Sequence, residues 1–474
     1  MGDYHDFLAS KMLTASHTGF TVSPDEISPK LFKFQADVVR RALEAGKYAL
    51  MEERGLGKTI QEFEWARQVA AHTSGKVLIL APLAVAFQMV DEAAKFGYGV
   101  RYCQSQADVG DATTVITNYE RLNHFEASAF SGVVLDESSI LKAFTGKTKR
   151  ELINAFKQTP YKLAASATPA PNDHLELGNH AEFLDVMRSD EMIARWFIND
   201  TMRAGNYRLK RHAENDFWRW LTSWAVCLSK PSDLGSDYDM PDFELPPLHL
   251  HEHLVKTSDA TMSRTFREGR LLPDSNPSST TLFKVKRESL DLRVAKALAI
   301  VNALPDSEPV VLWCDTNDEA DALKTAFPEA IEVRGSHSAK RKASALKAFT
   351  AGETRQIITK PDIAGMGLNW QHCAHAVFIG VSYSFEKFYQ AIGRNHRYGQ
   401  ERDVHAHLIY ASAEGNVLTT LRHKQAQFAE MQSKMNTAMQ EHGLFRDSNR
   451  RTHRTSVGQQ AIVLPNWLTS KGAA

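Results

Sequence analysis

Cysteine is scarce in this chain: there are four among 474 residues, at Cys103, Cys227, Cys314 and Cys373, with no C-x-x-C pair. That scarcity excludes a disulfide framework and the common structural zinc modules, and a reducing, cytoplasmic setting is expected. Net charge is missing as well, because 56 Lys and Arg cancel 56 Asp and Glu. A nucleic-acid surface must then be a local concentration of basic side chains rather than a global field. No uninterrupted run approaches the roughly 20 apolar residues that span a bilayer, and the opening MGDYHDFLASKM lacks the apolar segment of a secretory signal. No membrane association and no export are expected. A solenoid repeat period is absent too.

What remains is an ordinary globular composition, 43% hydrophobic, in a chain long enough for two or three compact domains. Short apolar runs bounded by turn residues recur in the first half: KYALM, KVLILAP, TTVITNY, GVVLDE and KLAASATP. Each has strand length and helical periodicity fills the stretches between, so a parallel α/β sheet is predicted. A second set, PVVLWC, IEVRG, QIIT, HAVFIGV and VHAHLIY, begins near Pro309 and alternates with helical segments such as 339–349. Between the sets, roughly residues 185–247, strand signals disappear in favour of an aromatic and basic stretch ending in MPDFELPPL, which reads as a helical insertion and then a linker. The expected division is an N-terminal segment 1–30, a first α/β domain 31–185, the insertion 186–247, a second α/β domain 248–435 and a basic tail 436–474.

Residues 51–60, MEERGLGKTI, nearly fit the phosphate-cradling pattern G-x-x-x-x-G-K-[ST], with Glu52 where the first glycine should stand. In such a loop backbone N–H groups converge on phosphate oxygens, the lysine adds charge near the transferred phosphoryl, and the hydroxyl holds Mg²⁺. Gly55, Gly57, Lys58 and Thr59 keep the turn, the charge and the hydroxyl, so Glu52 weakens the pattern more than the chemistry. Ile60, Phe63, Ala66, Val69 and Ala70 share one side of a helix directly behind the turn, the strand, loop, helix order that a phosphate site requires. A second element, VVLDE, puts Asp136 and Glu137 at the end of an apolar strand. Asp136 would hold Mg²⁺ through water, and Glu137 would orient and deprotonate the attacking water. Each element alone has a bland reading, a chance G-K-T at a helix start or an acidic pair capping a helix. Their joint occurrence points to ATP.

These segments together resemble the superfamily 2 helicase-like motors, and within them the SWI/SNF-type DNA translocases, whose D-E-M-G-L-G-K-T loop also carries an acidic residue in place of the first glycine. FKFQADVV, APLAVAFQMVDEAAKF, VITNYERL, VVLDESSILK, AASATPAPND, ITKPDIAGMGLNW and YQAIGRNHRYGQ follow in that family's order over roughly residues 30–430. The last is the most specific: Gln390, Arg394, Arg397 and Gln400 match Q-A-x-x-R-x-H-R-x-G-Q, where RNA-directed DEAD-box proteins would read H-R-I-G-R-T-G-R. The resemblance implies two RecA-like parallel-sheet domains in tandem and ATP-driven movement along duplex DNA. It implies that Arg394 and Arg397 reach from the second domain to the γ-phosphate held by the first, as arginine fingers do. It further implies that Gln35 reads the adenine edge, that Gln390 joins the nucleotide contacts, that Gly365, Gly367 and Asn369 belong to a loop touching ATP and the strand, and that the Ser166 to Thr168 segment couples hydrolysis to grip. Two departures stand out. The family's D-E-A-H reads Asp136, Glu137, Ser138, Ser139, and its K-N reads Lys142, Ala143, so the histidine thought to link hydrolysis to movement is missing.

Phosphate contacts need Lys, Arg and backbone N–H groups. Arg203, Arg208, Lys210 and Arg211 occur with no acid among them, near Trp196, Tyr207, Trp218, Trp220 and Trp224. The arginines are candidate DNA contacts, whereas tryptophans spaced as in WRWLTSW are expected in a core. The tail, with Arg446, Arg450, Arg451, Arg454 and Lys471, carries a mild basic excess. The expected protein is therefore an ATP-dependent DNA translocase or helicase, monomeric when free. Its compact form resembles bacterial and phage ATPases serving DNA replication, recombination or repair. Two alternatives stay open: a strand-separating or RNA-directed superfamily 2 enzyme, and a non-catalytic nucleotide-gated nucleic-acid clamp.

Overall fold

The computed structural model describes residues 14–142, 146–199, 207–256, 286–364, 369–380, 382, 384–411, 414–442 and 444. In the first half, runs rich in Val, Ile, Leu and Ala become β1 (Lys47–Glu52), β2 (Val77–Ala81), β3 (Val100–Tyr102), β4 (Thr114–Asn118), β5 (Gly132–Asp136) and β6 (Tyr161–Ala165). β2, β4 and β5 are buried along their whole length, as continuous apolar runs are in a parallel sheet covered on both faces. β7 (Phe197–Asn199) and β8 (Tyr207–Leu209) form a separate antiparallel pair, and β9 (Ala225–Leu228) joins the edge of the first sheet, whose order is β3-β4-β2-β5-β6-β1-β9. The second half supplies β10 (Leu248–Val255), β11 (Val310–Trp313), β12 (Ile331–Glu332), β13 (Gln356–Thr359), β14 (His375–Phe378) and β15 (Val404–Ala411), in the order β10-β15-β14-β11-β13-β12. Every pairing within these two sheets is parallel. Two parallel-sheet α/β lobes, as expected, are the result.

The stretch expected to be helical and strandless differs from that reading. It holds two short helices, Ser189–Trp196 and Glu214–Leu221, but also β7, β8 and β9. β9 pairs with β1 in register Ala49↔Ala225 to Glu52↔Leu228. Its four residues, AVCL, are all buried, and a run this short carries no period of its own to separate strand from helix. The tryptophans Trp196, Trp218, Trp220 and Trp224 are core, each 5% exposed or less. Their indoles pack on one another and on Phe217.

One long helix, Gly415–His442, leaves the second lobe and lies along the first. Phe428, Met431, Met435, Ala438 and Met439 form its buried stripe, a helical 3-4 spacing. Asn436 Nδ2 donates to Ser229 Oγ at 2.8 Å at its far end. The basic tail therefore begins within this helix, while Arg446, Arg450, Arg451, Arg454 and Lys471 lie outside the described residues. Among the described residues no helix is long and apolar enough to cross a membrane.

The edge of the second sheet carries an unusual face. β10 and β15 pair His249 with His405 and His251 with His407, and β14 adds His375 beside His405. Opposed imidazoles stack, with centroids 4.9 Å apart for His249 and His405 and 4.6 Å for His251 and His407. Diagonal neighbours share hydrogen bonds: His251 Nε2 to His405 Nδ1 and His253 Nε2 to His407 Nδ1, both 3.0 Å.

Candidate nucleotide cleft

The first lobe's half of the cleft grows from the carboxyl ends of β1 and β5, where ligands gather in parallel sheets. After β1 the chain turns through Gly55 at φ +87° and Gly57 at φ +77°, and the helix Lys58–Thr73 starts at once. Only glycine takes such angles without strain. A Cβ on Gly57 would also meet Gln35 Nε2 at 2.3 Å. Gln35 sits behind the loop: its Nε2 donates to the Leu56 carbonyl at 2.8 Å and its Oε1 accepts from Phe32 N at 3.0 Å. Lys58 Nζ donates to the carbonyls of Glu52 and Glu53 at 2.8 and 3.1 Å, which rings the lysine with the loop's own oxygens. Glu52, the residue in place of the missing glycine, is fully buried and accepts from Gln61 Nε2 at 2.8 Å. Burial pushes its carboxyl up to about 7, against the pull of Lys58.

At the end of β5 stand Asp136 and Glu137. Burial first, then the Glu137 charge, push the Asp136 carboxyl up to about 7, with Lys58 opposing. Burial raises Glu137 as well, opposed by Lys58 and Arg394. Glu137 holds φ +53°, a left-handed angle that a branched or long side chain adopts only under constraint. Its Oε2 is buried without a hydrogen-bond partner among the described residues. A buried carboxylate oxygen left open beside the cavity can accept from a proton-bearing ligand. Glu62 packs beside Asp136, and burial followed by the Asp136 charge holds its carboxyl well above the ordinary range. The departure at Ser138 also has a local partner, since its Oγ lies 3.1 Å from His180 Nε2.

Lys58, Thr59, Gly55, Gly57, Asp136 and Glu137 face Arg394 and Arg397 across one cavity. The arginines follow the helix Phe385–Ile392. Burial, then the like charge of Arg397, bring Arg394 down to about 9, with Glu137 opposing. Burial brings Arg397 to about 10, with Glu92 opposing. Asn369 lines the same cavity, and its Oδ1 lacks a partner among the described residues. Gln390 is buried, its Nε2 without an acceptor there, but it does not line the cavity. Gly365 and Gly367 lie outside the described residues.

Six cavity residues escaped the sequence reading: Arg54, Val85, Gln88, Met89, Glu92 and Gly393. Gln88 and Glu92 share one face of the helix Leu83–Phe96 with Val85 and Met89. Two polar residues interrupting an apolar i, i+3, i+4, i+7 stripe were the available signal. Among the candidate DNA contacts, Arg208 and Arg211 are exposed, whereas Arg203 lies outside the described residues. Lys210 is occupied, its Nζ donating to the carbonyls of Ala194 and Arg195 at 3.0 and 2.8 Å. That is a helix-end cap rather than a free phosphate contact.

Comparison with known proteins finds likenesses along most of the chain. Residues 295–399 match the helicase conserved C-terminal domain. The chain is 24% identical over 453 residues to the mouse "DNA annealing helicase and endonuclease ZRANB3", covering 85% of this chain and 40% of that protein. It is 23% identical over 442 residues to the human protein of the same name, covering 82% of this chain and 39% of that one. To the "Uncharacterized ATP-dependent helicase YqhH" of Bacillus subtilis it is 22% identical over 415 residues, covering 78% of this chain and 73% of the other. The chain thus spans about two fifths of the length of the mammalian relatives.

Proposed function

We propose, from the premise that this chain belongs to the superfamily 2 helicase-like ATPases, that it hydrolyses ATP between its lobes and uses closure of the cleft to move along nucleic acid, duplex DNA above all. One observation carries the reading. Lys58 of the first lobe and Arg394 and Arg397 of the second line the same cavity as Asp136 and Glu137.

The amides around Gly55 and Gly57 would cradle the phosphates, with Lys58 adding charge. The donor set suits a hard cation: Thr59 and Asp136 would hold Mg²⁺, which when bound neutralises charge on the phosphate oxygens. Among the described residues no three carboxylate, imidazole or thiolate groups converge on a metal point, so water and the phosphates would complete the shell. Glu137 would orient the attacking water and take its proton through the orphaned Oε2. Arg394 and Arg397 would stabilise charge as it develops on the phosphoryl oxygens. Gln35 would exchange the Leu56 carbonyl for the purine edge, and Gln390 and Gly367 would complete the second lobe's contacts. Arg208 and Arg211, with Arg203, are our DNA-phosphate candidates; Lys210 is the weakest of the set.

The pairing of an acidic phosphate loop with the Gln390 to Gln400 motif favours a SWI/SNF-type duplex translocase, acting as a monomer in the cytoplasm. Phage or bacterial DNA replication, recombination or repair is the role we attach to it. Steady-state ATP hydrolysis with duplex DNA, single-stranded DNA, RNA or no polymer tests the reading, with Glu137→Gln as control. Duplex DNA should stimulate most. Stimulation by RNA alone overturns the DNA assignment, and undiminished activity in Glu137→Gln removes its role as base.

A further inference from the structure

The tip of the phosphate loop is fastened to the opposite lobe. Arg54 lies over the ring of Tyr389, its guanidinium carbon 3.6 Å from the ring centroid. Its Nη1 donates to the Tyr389 carbonyl, in the last turn of the helix Phe385–Ile392. There an arginine adds a second donor to a carbonyl that already accepts from Gly393 N at 3.0 Å and complements the dipole. Its Nε donates to Glu53 Oε1 at 3.0 Å. Glu53 completes the joint by accepting from the Tyr389 hydroxyl and from Gln432 Nε2 of the long helix at 3.2 Å. The fit is close: a Cβ placed on Gly393 would meet Arg54 side-chain atoms at 2.0 to 2.6 Å. Gly393 is the residue before Arg394.

We infer that Arg54 is a positioning residue for Arg394: seated on Tyr389 and against Gly393, it sets where the second lobe delivers that guanidinium into the cleft. The inference rests on the ATPase reading and adds the device that assembles the pocket. A side chain of the phosphate loop itself holds the arginine supplied from across the cleft. Methionine, which the D-E-M-G-L-G-K-T pattern has at this position, could pack on Tyr389 but could neither donate to its carbonyl nor pair with Glu53.

Polymer-stimulated hydrolysis by Arg54→Met and Arg54→Lys, each alone and combined with Arg394→Ala, tests this. Arg54→Met should lower kcat about 10²-fold, the size of an ångström-scale misplacement, with the KM for ATP within about threefold of wild type. Arg54→Lys should restore only part, because an ammonium lacks the planar fork. The double variant of Arg54→Met with Arg394→Ala should be no slower than Arg394→Ala alone. Unchanged kcat in Arg54→Met, or a double variant slower by the full product, overturns the inference. A second readout does not depend on turnover. The four native cysteines are buried, so dyes on Lys95→Cys and Glu329→Cys, both exposed positions in opposite lobes, report the distance between lobes. Arg54→Met should lengthen or broaden that distance, and an unchanged distribution overturns the joint. A wild-type chain that hydrolyses no ATP while Arg54→Met still shifts the distance would sink the ATPase reading and leave the joint standing.

Discussion

The nucleotide cleft and the histidine face of the second sheet are both clusters of partly or wholly buried titratable groups, and burial moves them in opposite directions. In the cleft it lifts the carboxyls of Glu52 and Asp136 to about 7. On the histidine face it lowers His375 and His405, and drives His407 to about 3. The cause is shared, since a low-dielectric site disfavours charge of either sign. The surroundings differ. On the histidine face two ring pairs hydrogen-bond, His251 with His405 and His253 with His407, while His375 Nδ1 and His407 Nε2 have no partner among the described residues. In the cleft Asp136 and Glu137 face Arg394 and Arg397 across one cavity, so a ligand carrying both charge and donors can answer both sets at once, whereas the histidine rings pack against one another on the sheet.

Breaking the cleft should have the largest effect. Arg394→Ala removes one of the second lobe's two cavity cations while leaving the first lobe's loop intact. Polymer-stimulated kcat is expected to fall about 10³-fold, as for an arginine finger, with nucleotide binding largely kept. Combined with Glu137→Gln it should fall little further than the worse single change, because both groups serve one transition state. Single-turnover hydrolysis measures this, and losses that multiply would mean the two residues do not act in one site.

Removing one cleft charge without touching the chemistry sharpens the comparison at intermediate size. The folded value of Glu52, about 7, lies above its ordinary 4.5. Its contribution to stability is therefore fully present below pH 4.5 and is lost as pH rises through 7. Glu52→Gln keeps an acceptor for Gln61 and never ionises. It should stabilise the fold at pH 8 by on the order of 1–3 kcal/mol and by almost nothing near pH 4.5. Thermal unfolding at the two pH values decides, and an equal gain at both would show that ionisation of Glu52 is not the cost.

Which parts of this were legible in the sequence follows from how far apart the cooperating residues lie. The phosphate loop and the Asp136, Glu137 pair read clearly because each is contiguous and follows an apolar strand. Placement of Arg394 and Arg397 opposite Lys58 was implied by the resemblance alone, since no local pattern encodes a contact over more than 300 residues, and the structure brings them to one cavity. Arg54 carries no local signal, because its partners, Tyr389 and Gly393, are equally distant in sequence. β9 hid in a four-residue run after WRWLTSW. β10 was hidden by inversion: its exposed residues include Leu250 and Leu254, at 39% and 51%, while His251 and His253 are half-buried. Alternation was present, but the polar set is the covered one.

That inversion carries the smallest expected effect. Facing His407 are His251 and His253 from β10, His405 on its own strand and His375 on β14. Around the cluster stand Lys296 of the helix Leu290–Asn302 near His253, Asp403 bonded to His249, and Glu308 and Arg402 near His375. Protonating the accepting ring of either pair, His251–His405 or His253–His407, removes the acceptor that its bond needs. The folded value of His407, about 3, lies below its ordinary 6.5, so its contribution is complete above pH 6.5 and is lost as pH falls from there toward 3. Partial exposure of the ring reduces the effect, and a loss of a few degrees in Tm between pH 7.5 and pH 5 is expected. His407→Gln keeps a neutral polar group and cannot take up the proton, so its Tm should fall less over that interval. Calorimetry at the two pH values, read as a difference of differences, separates this from the general acid sensitivity of carboxylates; an identical slope in both proteins would assign the acid loss elsewhere.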